Sequence, residues 1–156
     1  MSDLQTRPIE PGDAGEVLTL QRAAFVQEAL TYDDADLPPL TQTLEELRAE
    51  LADNLGCVAV REGRLVGAVR ALRDGPLLLI GRLAVAPDLQ GEGVGSALLR
   101  AVEERGRAVG CREAELFTGS LSTANLRLYE RLGYTETERV PTDGGVSEVY
   151  LRKPLA

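Results

Sequence analysis

The run Leu77-Leu-Leu-Ile-Gly-Arg-Leu-Ala-Val-Ala-Pro-Asp-Leu-Gln-Gly-Glu-Gly-Val-Gly-Ser96 decides how this chain folds. Its first ten residues are almost wholly apolar and read as a strand, which Pro87-Asp88 stops. Gln90-Gly91-Glu92-Gly93-Val94-Gly95-Ser96 follows, and beyond it Val94, Ala97, Leu98, Ala101 and Val102 recur on one helical face. A strand that ends in a glycine turn opening onto a helix is built to hold an anion. The first helical N–H groups are unpaired, and the helix dipole is positive there. Three glycines in five residues let a ligand approach the backbone closely.

Outward from this run, the spacing predicts a chain of short elements. Arg7-Pro8-Ile9 ends a first strand. Pro11-Gly12-Asp13 starts a helix with Asp13 as its cap and Val17, Leu20 and Ala24 on one face. That helix cannot continue through Thr31 to Pro39. Thr43-Leu-Glu-Glu46 is a capping-box pattern opening a second helix, with Leu44, Leu47 and Leu51 facing inward. Cys57–Arg61 and Leu65–Leu72 read as strands joined at Glu62-Gly63, and Asp74-Gly75-Pro76 turns into the 77–86 strand. Gly110 ends the helix after the glycine turn. Glu113–Thr118 follows a helical crossover and should run parallel to 77–86. A helix over Ser122–Leu132 closes at Gly133, and a hairpin around Asp143-Gly144-Gly145 completes the chain. The fold class is therefore α/β with a mixed sheet, in the order β-α-α-β-β-β-α-β-α-β-β, as a single domain over 1–156.

Composition narrows the partners. The chain has 156 residues, 44% hydrophobic and 27% charged, as in an ordinary globular domain. With 25 acidic residues against 17 basic ones, the net charge of −8 argues against a nucleic-acid surface and suits a cationic substrate. No stretch reads as a targeting peptide and no apolar run approaches the ~20 residues of a membrane span, so no membrane role and a cytoplasmic location are expected. Cys57 and Cys111 have no metal or redox spacing and read as reduced core thiols. The sequence has no histidine, which removes Ser-His-Asp and Cys-His nucleophile chemistry and leaves no expected metal site.

The glycine turn has three readings. A dinucleotide site needs G-x-G-x-x-G after a strand of a βαβ unit, whereas Gly91-x-Gly93-x-Gly95 follows antiparallel hairpins. A P-loop needs Gly-Lys-Ser/Thr, and no such lysine is present. What remains is Gln90-x-x-Gly93-x-Gly95 after Leu83-Ala84-Val85-Ala86-Pro87. A second, independent pattern is Leu128-Tyr129-Glu130-Arg131-Leu132-Gly133-Tyr134 at the end of a helix.

On these two motifs the sequence resembles the GNAT superfamily of N-acetyltransferases, well over residues 55–153 and more loosely before them. The first motif is similar to that family's Q/R-x-x-G-x-G/A pyrophosphate signature, the second to its L-Y-E-x-x-G-F/Y helix end. The resemblance implies a fourth strand splayed from the fifth by a bulge, and an acetyl-CoA-binding core over about 77–135. It implies that acetyl-CoA pairs with main-chain groups of Leu83, Ala84 and Val85. Its pyrophosphate would lie on Gln90, Gly91, Glu92, Gly93, Val94, Gly95 and Ser96, and Tyr129 would protonate the departing thiolate. In the common family pattern, Asn stands seven residues before this tyrosine and Ala four before it. Here those positions hold Ser122 and Asn125. Asn125 is a candidate contact for the pantetheine arm or a partly exposed helix residue, and Ser122 is expected to be a helix cap.

The acceptor side is open. An ammonium acceptor must lose a proton before attack. Glu28, Asp33, Asp34 and Asp36 are candidates to bind it or take that proton, although most acidic residues in such a segment are simply solvated. Arg82, a charge inside an apolar strand, faces either the acceptor cleft or solvent. The expected function is acetyl transfer to a primary amine of a small molecule or peptide. A non-catalytic acyl-CoA sensor is the alternative, and a homodimer is a possible assembly.

Overall fold

A computed structural model describes residues 3–156. Its β4, Leu77–Val85, lies at the middle of a seven-stranded sheet with the order β1-β2-β3-β4-β5-β7-β6. The other strands are β1 Leu4–Pro8, β2 Cys57–Arg61, β3 Arg64–Asp74, β5 Glu113–Gly119, β6 Thr135–Pro141 and β7 Ser147–Pro154. Among the described residues only β4 and β5 pair in parallel; every other neighbour is antiparallel. The hairpin between β2 and β3 turns at Glu62 and Gly63, both with positive φ, as the Glu-Gly pair predicts.

Helices α1 Ala14–Tyr32, α2 Pro38–Thr41, α3 Leu44–Glu50, α4 Val94–Ala108 and α5 Thr123–Arg131 complete the chain. The predicted order holds, with one turn added. Pro38 and Pro39 cannot extend α1, but a proline is pre-set for a helix start, so they open α2. Helices α1 and α4 take opposite faces of the sheet. On β3, Gly67 meets α4 so closely that a Cβ there would lie 2.7 Å from both Leu98 and Val94. Arg70, three residues on, points the other way and bonds Gln21 of α1. Leu78, Leu98, Leu99, Val102 and Leu151 are fully buried in the core.

Local expectations are corrected at two side chains. Leu44, at the first position of α3, is 37% exposed and not inward-facing; Leu47 and Leu51 are buried as predicted. Asp13 stands at the N-cap of α1 but caps nothing there. Its carboxylate takes two hydrogen bonds from the Arg7 guanidinium, at 2.9 and 2.8 Å, and one from the Glu10 N–H. The bond from Arg7 holds that carboxyl below its ordinary range. The box on α3 forms as predicted, with Thr43 and Glu46 each satisfying the other's backbone N–H. Cys57 and Cys111 are buried and unpaired.

Candidate active site

The site is a defect in the sheet. β4 pairs with β5 only from Leu77 to Leu79, opposite Glu113 to Glu115. Beyond that point both strands continue, β4 against β3 to Val85 and β5 against β7 to Gly119. The cause is a bulge: Gly81 faces Arg70 and Ala84 faces Ala68, so Arg82 and Leu83 share the space opposite Val69. Arg82 holds φ at +55°, a left-handed backbone uncommon for a non-glycine residue. The bulge turns β4 away from β5 and leaves the β5-facing edge of Leu83, Ala84 and Val85 without a strand to pair with. The splay that the resemblance implies is present.

The glycine turn lies at the end of this opening. Pro87–Leu89 makes one 3-10 turn, and Gly93 is the N-cap of α4 with φ +88°. Gly91 also has positive φ, +83°, and a Cβ at either glycine would meet only open space. No side chain caps α4 and no acidic residue occupies its first turn, so its leading N–H groups remain free. Val94 is buried beneath them, whereas Ser96 is half-buried. Gly95 serves packing instead. Its missing Cβ lets α5 approach, with Leu128 at 3.2 Å from the position a Cβ would take.

Two arginines of the β2–β3 hairpin brace the turn on either side of the exposed Gln90. Arg64 holds Asp88 through two bonds of 2.8 and 2.7 Å, and Arg61 reaches Glu92 at 3.4 Å. Glu92 would otherwise put an uncompensated negative charge in an anion site.

Helix α5 straddles the opening. Leu128 packs on α4, while Ser122, at the N-terminal end, is buried against α1. Ser122 occupies the cap position but makes no cap bond; its hydroxyl donates instead to Glu28 at 2.8 Å. Tyr129 is buried between the two ends, 5% exposed, with its ring edge-on to Tyr134 at 6.2 Å between centroids. Burial, with the nearby charge of Glu28 adding to it, pushes the Tyr129 phenol well above its ordinary pKa. Asn125 lies over Thr118 of β5, with a long 3.4 Å contact, and so faces the opened part of that strand.

Among the acidic candidates only Glu28 reaches the site. Asp33, Asp34 and Asp36 are exposed and serve the end of α1. Asp33 holds the left-handed position after the helix, and Asp34 accepts the N–H of Asp36. Around Glu28 are two features that the sequence reading did not single out. Tyr32 lies against Gly119 of β5, where a Cβ would collide with its phenol, and it bonds Ser122 at 2.7 Å. Phe117, two residues back on the same face, is 53% exposed and stacks on Tyr150 at 5.2 Å.

A buried polar cluster fixes the elements that carry Glu28. Arg70, 3% exposed, donates to Glu50 at 2.9 Å and Gln21 at 2.8 Å. Gln21 donates to the Pro39 carbonyl and to Gln42, and Gln42 donates to Glu50 at 2.7 Å. Burial pulls the Arg70 guanidinium below its ordinary pKa, with Glu50 opposing and Arg82 adding to the shift. Arg82 is half-buried, and its neighbour Gly81 pairs with Arg70. A charge inside the apolar run Leu65–Leu72 was the signal for Arg70, the same one that marks Arg82.

A sheet opened between two parallel strands, with an uncapped glycine turn at its end and a buried phenol across from it, defines an acyltransferase site. The comparisons with known proteins agree. A model of the acetyltransferase (GNAT) family matches residues 17–134. An aminoglycoside N(6')-acetyltransferase of Stenotrophomonas maltophilia is 34% identical over 146 residues, covering 85% of this chain and 87% of the relative. A PaiA N-acetyltransferase from Thermoplasma acidophilum, solved in complex with coenzyme A, superposes with a TM-score of 0.81 at 17% identity, over 97% of this chain and 99% of the other. The ribosomal-protein-S18-alanine N-acetyltransferase of Escherichia coli gives the same TM-score at 18% identity, over 99% and 95%. The chain belongs to the GNAT family of acetyltransferases. Two neighbours named for different activities fit its backbone equally well, so the fold by itself does not select an acceptor.

Proposed function

We propose that this protein transfers the acetyl group of acetyl-CoA to a primary amine by direct attack within a ternary complex. The observation that carries the reading is the continuity of three parts. The strand edge freed by the Arg82 bulge runs to the uncapped glycine turn, and α5, which carries the buried Tyr129, brings the adjacent Leu128 to Gly95 beside Leu83 and Val85 of that strand. The residues fit the donor. The free edge of Leu83–Val85 offers backbone groups to an amide-bearing arm, with Asn125 facing it from α5. The amides from Gly91 to Ser96, with Gln90 beside them, suit a pyrophosphate, and the open space at Gly91 and Gly93 lets it come close.

In the reaction, the bound ammonium first gives one proton to solvent; the neutral nitrogen then forms a bond to the acetyl carbon and the carbon–sulfur bond breaks. Tyr129 gives its proton to the sulfur, and its oxygen regains one from the nitrogen. The raised pKa keeps that phenol protonated and able to donate at neutral pH. The free backbone edge of β4 holds the thioester in line, so proximity supplies much of the rate.

The aminoglycoside relative places small molecules with several amines first among acceptors, and the acidic balance of the chain suits them. The test is release of free CoA from acetyl-CoA over a panel of aminoglycosides, polyamines, amino acids and N-terminal peptides. Turnover with at least one small amine is expected. Acetyl-CoA binding without turnover across the panel would instead make the chain an acyl-CoA sensor.

A further inference from the structure

Glu28 is held from one side only. Its Oε2 accepts the Ser122 hydroxyl at 2.8 Å. Since Ser122 spends its proton there, the 2.7 Å contact between Ser122 and Tyr32 is made by the Tyr32 hydroxyl donating. The Tyr32 oxygen in turn accepts the backbone N–H of Leu121 at 3.2 Å. Four groups therefore form one directed chain, from an amide through two hydroxyls to a carboxylate. Each donor points toward Glu28, and hydrogen bonds aligned in this way strengthen one another.

The other end of that carboxylate is free. No described arginine or lysine pairs with Glu28. Its Oε1 takes no hydrogen bond from a described residue. The side chain is half-buried on α1, on the face where β5 has left β4, and its charge is felt at the Tyr129 phenol. A half-buried carboxylate oriented by one hydroxyl, itself backed by two further donors in line, but lacking a cation is suited to receive one.

We infer that Tyr32 and Ser122 are positioning residues that fix Glu28 as the seat for the acceptor's ammonium group. The inference rests on the acetyl-transfer reading and narrows it, because a protonated primary amine is then selected over neutral and anionic acceptors. Glu28 touches the ammonium, while Ser122 and Tyr32 act only through Glu28.

Tobramycin, which presents several primary amines, is the probe. Ser122→Ala should raise its KM about tenfold, the worth of one charge-assisted hydrogen bond, with kcat within about twofold and acetyl-CoA affinity unchanged. Ser122→Thr keeps the hydroxyl and should restore the KM, which a purely steric role for Ser122 does not predict. Tyr32→Phe should raise KM about threefold, and it carries the test if Ser122→Ala does not fold.

Calorimetry of tobramycin binding to the CoA-loaded protein reads the same seat without turnover. Binding that weakens about tenfold in Ser122→Ala, with no acetylation by wild type of tobramycin or of any other amine in the panel, sinks the transfer reading and keeps the seat. Normal turnover with an unchanged KM in Ser122→Ala overturns the seat and keeps the transfer. A loss of acetyl-CoA affinity in place of tobramycin affinity also overturns it, as does wild-type protein that does not bind tobramycin.

Discussion

The two sides of the opening are made of different material. On the donor side the proposed contacts are almost all backbone: the free edge of β4 and the N–H groups at the start of α4. On the acceptor side the proposed contact is a side chain, Glu28 on α1, held through side chains from separate elements, Ser122 at the start of α5 and Tyr32 at the end of α1. A backbone site depends on a local conformation, and only certain residues permit it. A side-chain site depends on long-range packing, and its members can change identity while the fold remains. The difference fits a fold shared by acetyltransferases that are named for different acceptors.

Tyr129 belongs to both sides, so its replacement gives the largest expected effect. Tyr129→Phe should lower kcat about 10²-fold or more, the range in which general-acid groups contribute, with little change in acetyl-CoA affinity. The pH profile sharpens the test. Burial, then the charge of Glu28, raises the phenol's pKa, so the acid form persists as pH rises through 10. The wild-type kcat should therefore show no alkaline loss below about pH 10, the ordinary phenol value. A fall in kcat near pH 9 that disappears in Tyr129→Phe would show the phenol ionising early and break this assignment.

Gly93→Val probes the donor side alone. The residue holds φ at +88°, where a β-branched side chain is strained whatever space surrounds it. The turn must relax out of that conformation, costing about 1–2 kcal/mol at this position, and the added methyls fill the space left for the pyrophosphate. Acetyl-CoA affinity by calorimetry should fall about 10²-fold, while tobramycin binding to the unloaded protein should change far less. Equal losses at both ligands would mean that the turn also shapes the acceptor side, and the division between the two would fail.

The same division decides what the sequence reveals. The glycine turn and the helix after it were legible because Gly91 and Gly93 are required by φ, and a conformational requirement is written locally; the splayed strand was expected only from the family resemblance, since its bulge sits on Arg82, a residue that no local rule marks for positive φ. The hairpin at Glu62-Gly63 and the box at Thr43–Glu46 were legible for the same reason as the turn. The acceptor cluster was not: Tyr32 and Ser122 are 90 residues apart, and no local rule joins them. Acidic residues between 28 and 36 could be named but not ranked, because only the packing of α1 on β5 turns Glu28 inward and leaves Asp33, Asp34 and Asp36 in solvent. Ser122 had a local role available, the helix cap, and a distant carboxylate overrode it.

Gly119→Ala is the smallest of these changes and isolates the acceptor side. Gly119 lies on β5 beyond the last pair with β4, and the Tyr32 phenol rests where its Cβ would be. The backbone there does not require glycine, since its φ lies outside the left-handed range, so the substitution acts by contact alone. The rigid ring must shift, loosening its bonds to Leu121 and Ser122. Overpacking of this kind costs about 1–3 kcal/mol of stability, read as a lower midpoint in denaturant. The acceptor KM should rise severalfold through the displaced chain to Glu28, with acetyl-CoA affinity unaltered. The comparison is strongest at this position, because β5 borders both sides. If adding one methyl group to its α1 face moved donor affinity as much as acceptor KM, the two sides would be a single mechanical unit, and the backbone and side-chain halves of the site could not vary independently.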